Sequence, residues 1–95
     1  MAIQLERTIR ARGGKTVTIY MKISNCRILD IAITGDFFSY PEDAIERLER
    51  ALALCASIAC IELAIDTISR SAHLLGVEWE ELKQYLVDMF RLGCQ

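Results

Sequence analysis

The residues best suited to chemistry lie in one short stretch, Arg12-Gly13-Gly14-Lys15. Glycines allow backbone N–H groups to approach a phosphate, and arginine and lysine supply positive charge, so an anion site could be built here. The stretch lacks the remainder of a P-loop, and no helix follows it. The alternative interpretation is a hairpin tip whose charges are solvated.

The rest of the chain offers no nucleophile with a nearby base. His73 is the only histidine, and we interpret it as a surface or capping residue. No serine or cysteine lies in a G-x-S-x-G or equivalent setting. Glu80 and Glu81 are neighbours on a predicted helix and point apart, so they are predicted to form a solvated helix start.

The cysteines do not indicate a metal site, because none lies in a CxxC pair and only one histidine could join them. Cys55 and Cys60 lie in an apolar run and are interpreted as small core residues. Disulfide pairing stays open, since intracellular disulfides do occur in hyperthermophilic organisms. The four cysteines are Cys26, Cys55, Cys60 and Cys94.

Composition and charge limit the kinds of protein to consider. With 95 residues, 53% of them hydrophobic, the chain is predicted to fold as one domain spanning residues 1–95. Residues 1–27 carry six Lys or Arg against one acidic residue, whereas residues 28–95 carry five against twelve. The amino-terminal part could therefore face an anion, and the remainder could not.

No membrane or secretory segment is predicted. Charged residues interrupt the amino-terminal region early, which argues against a signal peptide. The longest uncharged run, Ala51 to Ile61, is too short for a bilayer, which requires about 20 apolar residues. We therefore expect a soluble, cytoplasmic protein.

Three segments alternate apolar and polar residues, with the apolar residues at odd positions. This pattern predicts three antiparallel strands in a meander with one apolar face, the third strand burying Leu29, Ile31 and Ile33. Odd residues must then pair with odd residues, so each loop holds an odd number of residues or a bulge corrects the register. The expected three-residue loops are Arg12-Gly13-Gly14 and Ser24-Asn25-Cys26.

The strands join the helices at Gly35 to Phe38. Gly35 is expected where the chain leaves the sheet, and Asp36 is expected to accept hydrogen bonds from nearby backbone N–H groups. For Phe37 and Phe38 we expect one ring inward and one at the surface, where it could meet a partner. We name this segment, Gly35 to Phe38, the joint.

Helical periodicity dominates the remainder. Ser39 and Glu42 fit a capping box with Pro41 in the first helical turn. A break is predicted near Leu54 to Ser57, with Ser57 as the next N-cap, and Leu74 to Val77 interrupts the second helix. The prediction is an α+β fold of two layers, in which about three carboxyl-terminal helices cover an amino-terminal three-stranded antiparallel sheet.

These features together resemble the C-terminal or accessory domain of lipoate–protein ligases, which in some archaea is a separate small protein beside the catalytic subunit. The resemblance spans nearly the whole chain, and its Gly-Asp-Phe-Phe joint is fairly specific. The residues that carry it are Gly13-Gly14-Lys15, Ile33-Thr34-Gly35-Asp36-Phe37-Phe38, Pro41-Glu42, Leu48-Glu49, Leu52, Gly76-Val77 and Glu81-Leu82.

The resemblance implies a part in a two-step reaction. Lipoate and ATP, with magnesium, form lipoyl-adenylate with loss of pyrophosphate, and the lipoyl group then passes to a lysine of a carrier protein. Lipoate and ATP sites of such ligases lie in the catalytic domain, so the implied role is auxiliary and this chain alone is non-catalytic and binds no cofactor. The expected partner is the catalytic subunit, with the carrier protein an indirect one.

Under this resemblance, each group of residues has an expected role. The joint would hold the docking surface. No catalytic or metal-binding residue is assigned. The residues expected to face the nucleotide or the partner are Arg10, Arg12, Gly13, Gly14 and Lys15.

Two other functions remain open at this point. The basic hairpin could bind phosphates of a nucleic acid, although Tyr20 is the one aromatic on the polar sheet face, where an RNA-binding sheet would present two or three. Alternatively, the apolar region Leu54 to Ile65 could make the chain a homo-oligomeric structural protein. We expect no nucleic-acid partner and no membrane partner.

Overall fold

The computed structural model describes residues 1–94. None of the helices in this part of the chain is long and apolar enough to cross a lipid bilayer. The elements are β1 (Ala2–Arg10), β2 (Thr16–Ser24), β3 (Arg27–Gly35), β4 (Phe38–Tyr40), α1 (Ala44–Leu52), α2 (Ile58–Ser69), β5 (His73–Leu75) and α3 (Trp79–Gly93).

The first three strands form the predicted antiparallel meander, in the order β1-β2-β3. Across the first hairpin odd residues face odd residues, as in the pair Ile9 and Val17. Across the second, Ile19 faces Ile33. The odd-numbered side chains of β2 are fully buried, whereas most side chains of the edge strand β1 are exposed. The core therefore lies over β2 and β3.

The first hairpin loop is longer than the predicted Arg12-Gly13-Gly14 and comprises residues 11–15. The backbone N–H of Ala11 donates to the carbonyl oxygen of Lys15 at 2.8 Å, and that of Gly14 donates to Ala11 at 2.9 Å. Five is also an odd number, so the longer loop preserves the predicted register.

The second turn is shorter than the predicted Ser24-Asn25-Cys26. Asn25 and Cys26 form it alone, and their φ angles of 52° and 56° are typical of a type I′ turn. A two-residue loop would place the apolar residues of β3 on the wrong face of the sheet, because successive side chains point to opposite faces.

A bulge next to the turn corrects most of this mismatch. The register shifts between Lys22 and Ile23, so that residues from Ile31 onward again place their odd-numbered side chains in the core. The residues before the bulge keep the opposite register. Consequently Ile28 is buried and Leu29 is exposed, contrary to the prediction for Leu29.

The chain after β3 enters a two-stranded ribbon, not a helix. β4 pairs antiparallel with β5, which overlaps the predicted interruption at Leu74 to Val77. The capping-box prediction is wrong because extended backbone at β4 cannot start a helix, and the Ser39 hydroxyl instead donates to the carbonyl oxygen of Glu42 at 3.3 Å. Pro41 therefore precedes α1, which begins at Ala44.

The helices form the second layer, in which α1 and α3 pack against the sheet and α2 packs against α1 and α3, and this gives the predicted α+β fold. Ser57 caps α2 as predicted, since its hydroxyl oxygen accepts from the backbone N–H of Cys60 at 3.1 Å. Glu49 of α1 accepts from the backbone N–H of Ile33 at 2.7 Å and so satisfies part of the free edge of β3.

Two disulfides connect the four cysteines. Cys26–Cys94 ties the turn between β2 and β3 to the end of α3, and Cys55–Cys60 spans the start of α2. Cys55 is buried and Cys60 lies against the core, which agrees with their interpretation as core residues. The sequence left this pairing open.

Candidate functional site

The tip of the basic hairpin, residues 11–15, rests on the turn between β5 and α3. A Cβ atom on Gly13 would lie 2.6 Å from the carbonyl oxygen of Gly76, so this approach requires glycine. The aliphatic part of the Lys15 side chain covers Gly76 from the other side. Gly76 has a φ of +100°, which also favours glycine. Because both residues lack a side chain, Gly13 and Gly76 allow the hairpin tip to pack directly against this turn.

The joint is hydrogen-bonded to the same hairpin at Thr16, the first residue of β2. The backbone N–H of Thr16 donates to Asp36 Oδ1 at 2.6 Å, and the backbone N–H of Asp36 donates to the Thr16 carbonyl at 3.3 Å. Asp36 is therefore the predicted acceptor of backbone N–H groups. A Cβ on Gly35 would collide with the Thr16 carbonyl oxygen, which explains the glycine at this position.

The two phenylalanines of the joint divide as expected. Phe37 is half-buried and packs against the hydrophobic core, whereas Phe38 is exposed on β4. The structure therefore brings the two predicted groups of site residues together, because the joint lies beside the hairpin that carries Arg12 and Lys15. Arg10 is the last residue of β1, and its side chain is exposed.

A third attachment comes from Glu81, which sequence analysis placed in solvent. Glu81 is 6% exposed. Its Oε2 accepts from the backbone N–H of Arg12 at 2.9 Å and from the Tyr85 hydroxyl at 2.6 Å. Only its neighbour Glu80 remains in solvent. The pairing of Glu81 with a residue 69 positions away could not be seen from local spacing, although Glu81-Leu82 belonged to the resemblance.

Charge and burial oppose each other at this carboxylate. Burial raises the pKa of the Glu81 carboxyl. Hydrogen bonds from Tyr85 and from the Arg12 backbone, together with the Arg12 guanidinium, lower the pKa by more than burial raises it, so the pKa lies below its ordinary value. Burial, which is the larger effect, and the hydrogen bond to the Glu81 carboxylate both raise the pKa of the Tyr85 hydroxyl. At neutral pH the pair is therefore a carboxylate and a phenol that donates to it.

We expect Glu81→Gln to lower the free energy of unfolding by about 1 to 2 kcal/mol at pH 7, since a charged acceptor is lost. Because the pKa of Glu81 is lower in the folded protein than its ordinary value, the ionised carboxylate stabilises the protein at pH values above the ordinary pKa. This stabilisation is lost as the pH falls through the folded-state pKa. The difference from wild type should therefore shrink below about pH 4 in urea titrations. The exposed control Glu80→Gln should have little effect, and a pH-independent difference for Glu81→Gln would contradict this role.

Held by these contacts, the tip projects positive charge beside a cleft. The side chain of Arg12 is 76% exposed and lies 3.6 Å from Glu81 Oε2. The ion pairs found among residues 1–94 do not include Lys15. A cleft of about 700 Å³ opens here, lined by Arg12, Gly13, Leu74, Leu75, Gly76, Val77, Glu78 and Glu80.

The site combines the cationic tip with an apolar surface, and the carboxylates of Glu78 and Glu80 lie at the cleft. His73 is exposed on β5, as expected for a surface residue. Within residues 1–94, no three His, Cys, Asp or Glu side chains cluster as metal ligands would. Such an arrangement is suited to binding or to completing a site on another protein. The class of protein that the fold defines is a small α+β protein with a three-stranded antiparallel sheet covered by helices.

Comparison with known proteins identifies the family. No protein-family model matches the chain. It is 31% identical over 86 residues to lipoate-protein ligase A subunit 2 of Thermoplasma acidophilum, covering 90% of each chain. A solved structure from the bipartite lipoate–protein ligase and E2 lipoyl domain system of that organism superposes with a TM-score of 0.78 and 33% identity, covering 88% of this chain and 94% of the other. The chain belongs to the family of lipoate–protein ligase subunit 2, the accessory subunit of two-part ligases.

Proposed function

We propose that this chain docks on a catalytic lipoate–protein ligase subunit and supports the ATP-dependent adenylation of lipoate, before the lipoyl group passes to a carrier-protein lysine. Membership of the subunit 2 family supports the assignment to a two-part ligase. The observation that carries the role in activation is the fixed basic tip, on which Arg12 and Lys15 extend from a hairpin held by Gly76, Asp36 and Glu81.

The chemistry of adenylation requires what such a tip can supply. A carboxylate must approach a triphosphate, so negative charges come together and need compensation by positioned cations. The groups must also be oriented and the acyl-adenylate kept from water. In this proposal Lys15 and Arg12 face the nucleotide side of the partner's site, and Arg10 adds charge at its margin. The tip contributes charge and closure, while the partner holds lipoate and ATP.

The acidic side chains of this chain also agree with nucleotide binding by the catalytic subunit. Magnesium prefers carboxylate and phosphate oxygens, and the described residues provide no acidic cluster that would form its site. We therefore assign magnesium to the nucleotide and the catalytic subunit. The docked pair is expected in the cytoplasm.

Lys15→Met tests the role in activation because it removes the charge and keeps most of the aliphatic side chain that covers Gly76. We expect lipoyl-adenylate formation by the reconstituted pair to fall about tenfold or more, while the two proteins still co-purify. Pyrophosphate release in single turnover measures this step. Lys22→Met, a matched loss of charge on β2, should leave the rate unchanged. Full activity of Lys15→Met would remove Lys15 from the mechanism without affecting the family assignment.

A further inference from the structure

We propose that the exposed face of the β4–β5 ribbon is the surface that binds the catalytic subunit. This inference rests on the proposed function and names the contact that it requires. Phe38 pairs with Leu75, and Tyr40 pairs with His73, so these four side chains share one face of the ribbon.

The ribbon face is apolar and open. Phe38 is 66% exposed, Tyr40 75% and Leu75 68%, and together they surround a groove of about 450 Å³. Exposed aromatic side chains that lie together are typical of the centre of protein interfaces, where they supply most of the binding energy. A single exposed leucine is ordinary, but three large side chains on one six-residue ribbon are not.

The opposite face anchors the ribbon to the body of the protein. Leu74 packs against the hydrophobic core, and the adjacent Phe37 does the same. Trp79, at the start of α3, donates its indole N–H to the carbonyl oxygen of Ala72 at 3.1 Å, just before β5. The exposed side chains are thus carried on a fixed backbone, which reduces the entropy lost on binding.

Continuity with the basic tip identifies the partner. Leu75 lines both the apolar groove and the cleft formed with Arg12 and Gly13. A protein that covers the ribbon face therefore also meets the cationic tip. The partner that fits has an apolar docking site beside an anion-binding centre, as a catalytic subunit that holds a triphosphate would.

The test is binding of the cognate catalytic subunit to purified full-length chains, measured by isothermal titration calorimetry. We expect Phe38→Ser and Tyr40→Ser each to weaken binding about 30-fold or more, as for central interface residues. Leu63→Ser is the matched control, since Leu63 is 64% exposed on α2 and lies outside the groove. Unchanged circular dichroism and melting temperature show that each variant is folded. Two variants are used so that a folding defect in one leaves the other informative.

The outcomes separate this inference from the proposed function. If wild type binds the subunit and both ribbon variants bind equally well, the docking surface is wrong and the proposed function stands. If wild type neither binds nor stimulates the subunit, the proposed function is wrong. A wild-type dimer in light scattering that Phe38→Ser converts to a monomer would assign the ribbon to self-association and overturn the inference.

Discussion

Gly35→Ala is expected to lower the free energy of unfolding by about 3 kcal/mol, the upper end of the usual range for forcing an atom into packed structure. The new Cβ would collide with the carbonyl oxygen of Thr16 and lie 2.9 Å from the ring of Phe37. Backbone cannot move aside as a flexible side chain can. The collision would also separate Asp36 from the Thr16 backbone, so the basic hairpin would lose one of its three attachments.

Denaturant unfolding of Gly35→Ala measures this cost, and Gly14→Ala provides the comparison. Gly14 lies in the same hairpin with a φ of +92°, but a Cβ at this position would have no atom within 4 Å. We therefore expect Gly14→Ala to cost about 1 kcal/mol from backbone strain alone. Equal costs for the two substitutions would show that the contact with Thr16 does not matter.

Loss of the Cys26–Cys94 disulfide is expected to lower the free energy of unfolding by about 4 kcal/mol in the chain-entropy account. The bond closes a loop of 68 residues, so it greatly restricts the unfolded chain. The Cys55–Cys60 bond closes a loop of 5, for which the same relation gives about 2 kcal/mol. A domain stability of about 5 to 15 kcal/mol makes the first loss a large fraction of the total.

Thermal unfolding of Cys26→Ala/Cys94→Ala measures this difference, with Cys55→Ala/Cys60→Ala as the control pair. The first double variant should melt at the lower temperature of the two. Thiol titration of the denatured wild type, without reductant, should find no free thiol among the four cysteines. Four reactive thiols in the protein as purified from cells would contradict the pairing.

Local pattern was sufficient to predict the sheet and the helices. Alternation of odd-numbered apolar residues defined the three strands, because a two-sided strand imposes that period on its sequence. Ser57 identified the start of α2, because a hydroxyl at that position satisfies a free backbone N–H group. At the joint, the exit from β3 at Gly35 and the acceptor role of Asp36 were predicted correctly, whereas the strand β4 that follows was not predicted.

What the sequence could not predict depends on contacts between distant segments. β4 and β5 have three residues each, too few for a periodic signal, and they pair across more than thirty intervening residues. Their pairing created the ribbon face and displaced the start of α1. Glu81 is buried only because the hairpin tip arrives over it. Leu29 is exposed because the two-residue turn at Asn25 and Cys26 changes the register at the start of β3, and the bulge restores the predicted register only beyond Leu29.

The most direct test of the account is pyrophosphate release from lipoate and ATP by three samples: this chain alone, the cognate catalytic subunit alone, and the two together. We expect only the mixture to form lipoyl-adenylate efficiently, because the catalytic subunit holds the substrates and this chain completes the site. Turnover by this chain alone, or full activity of the catalytic subunit without it, would contradict the account.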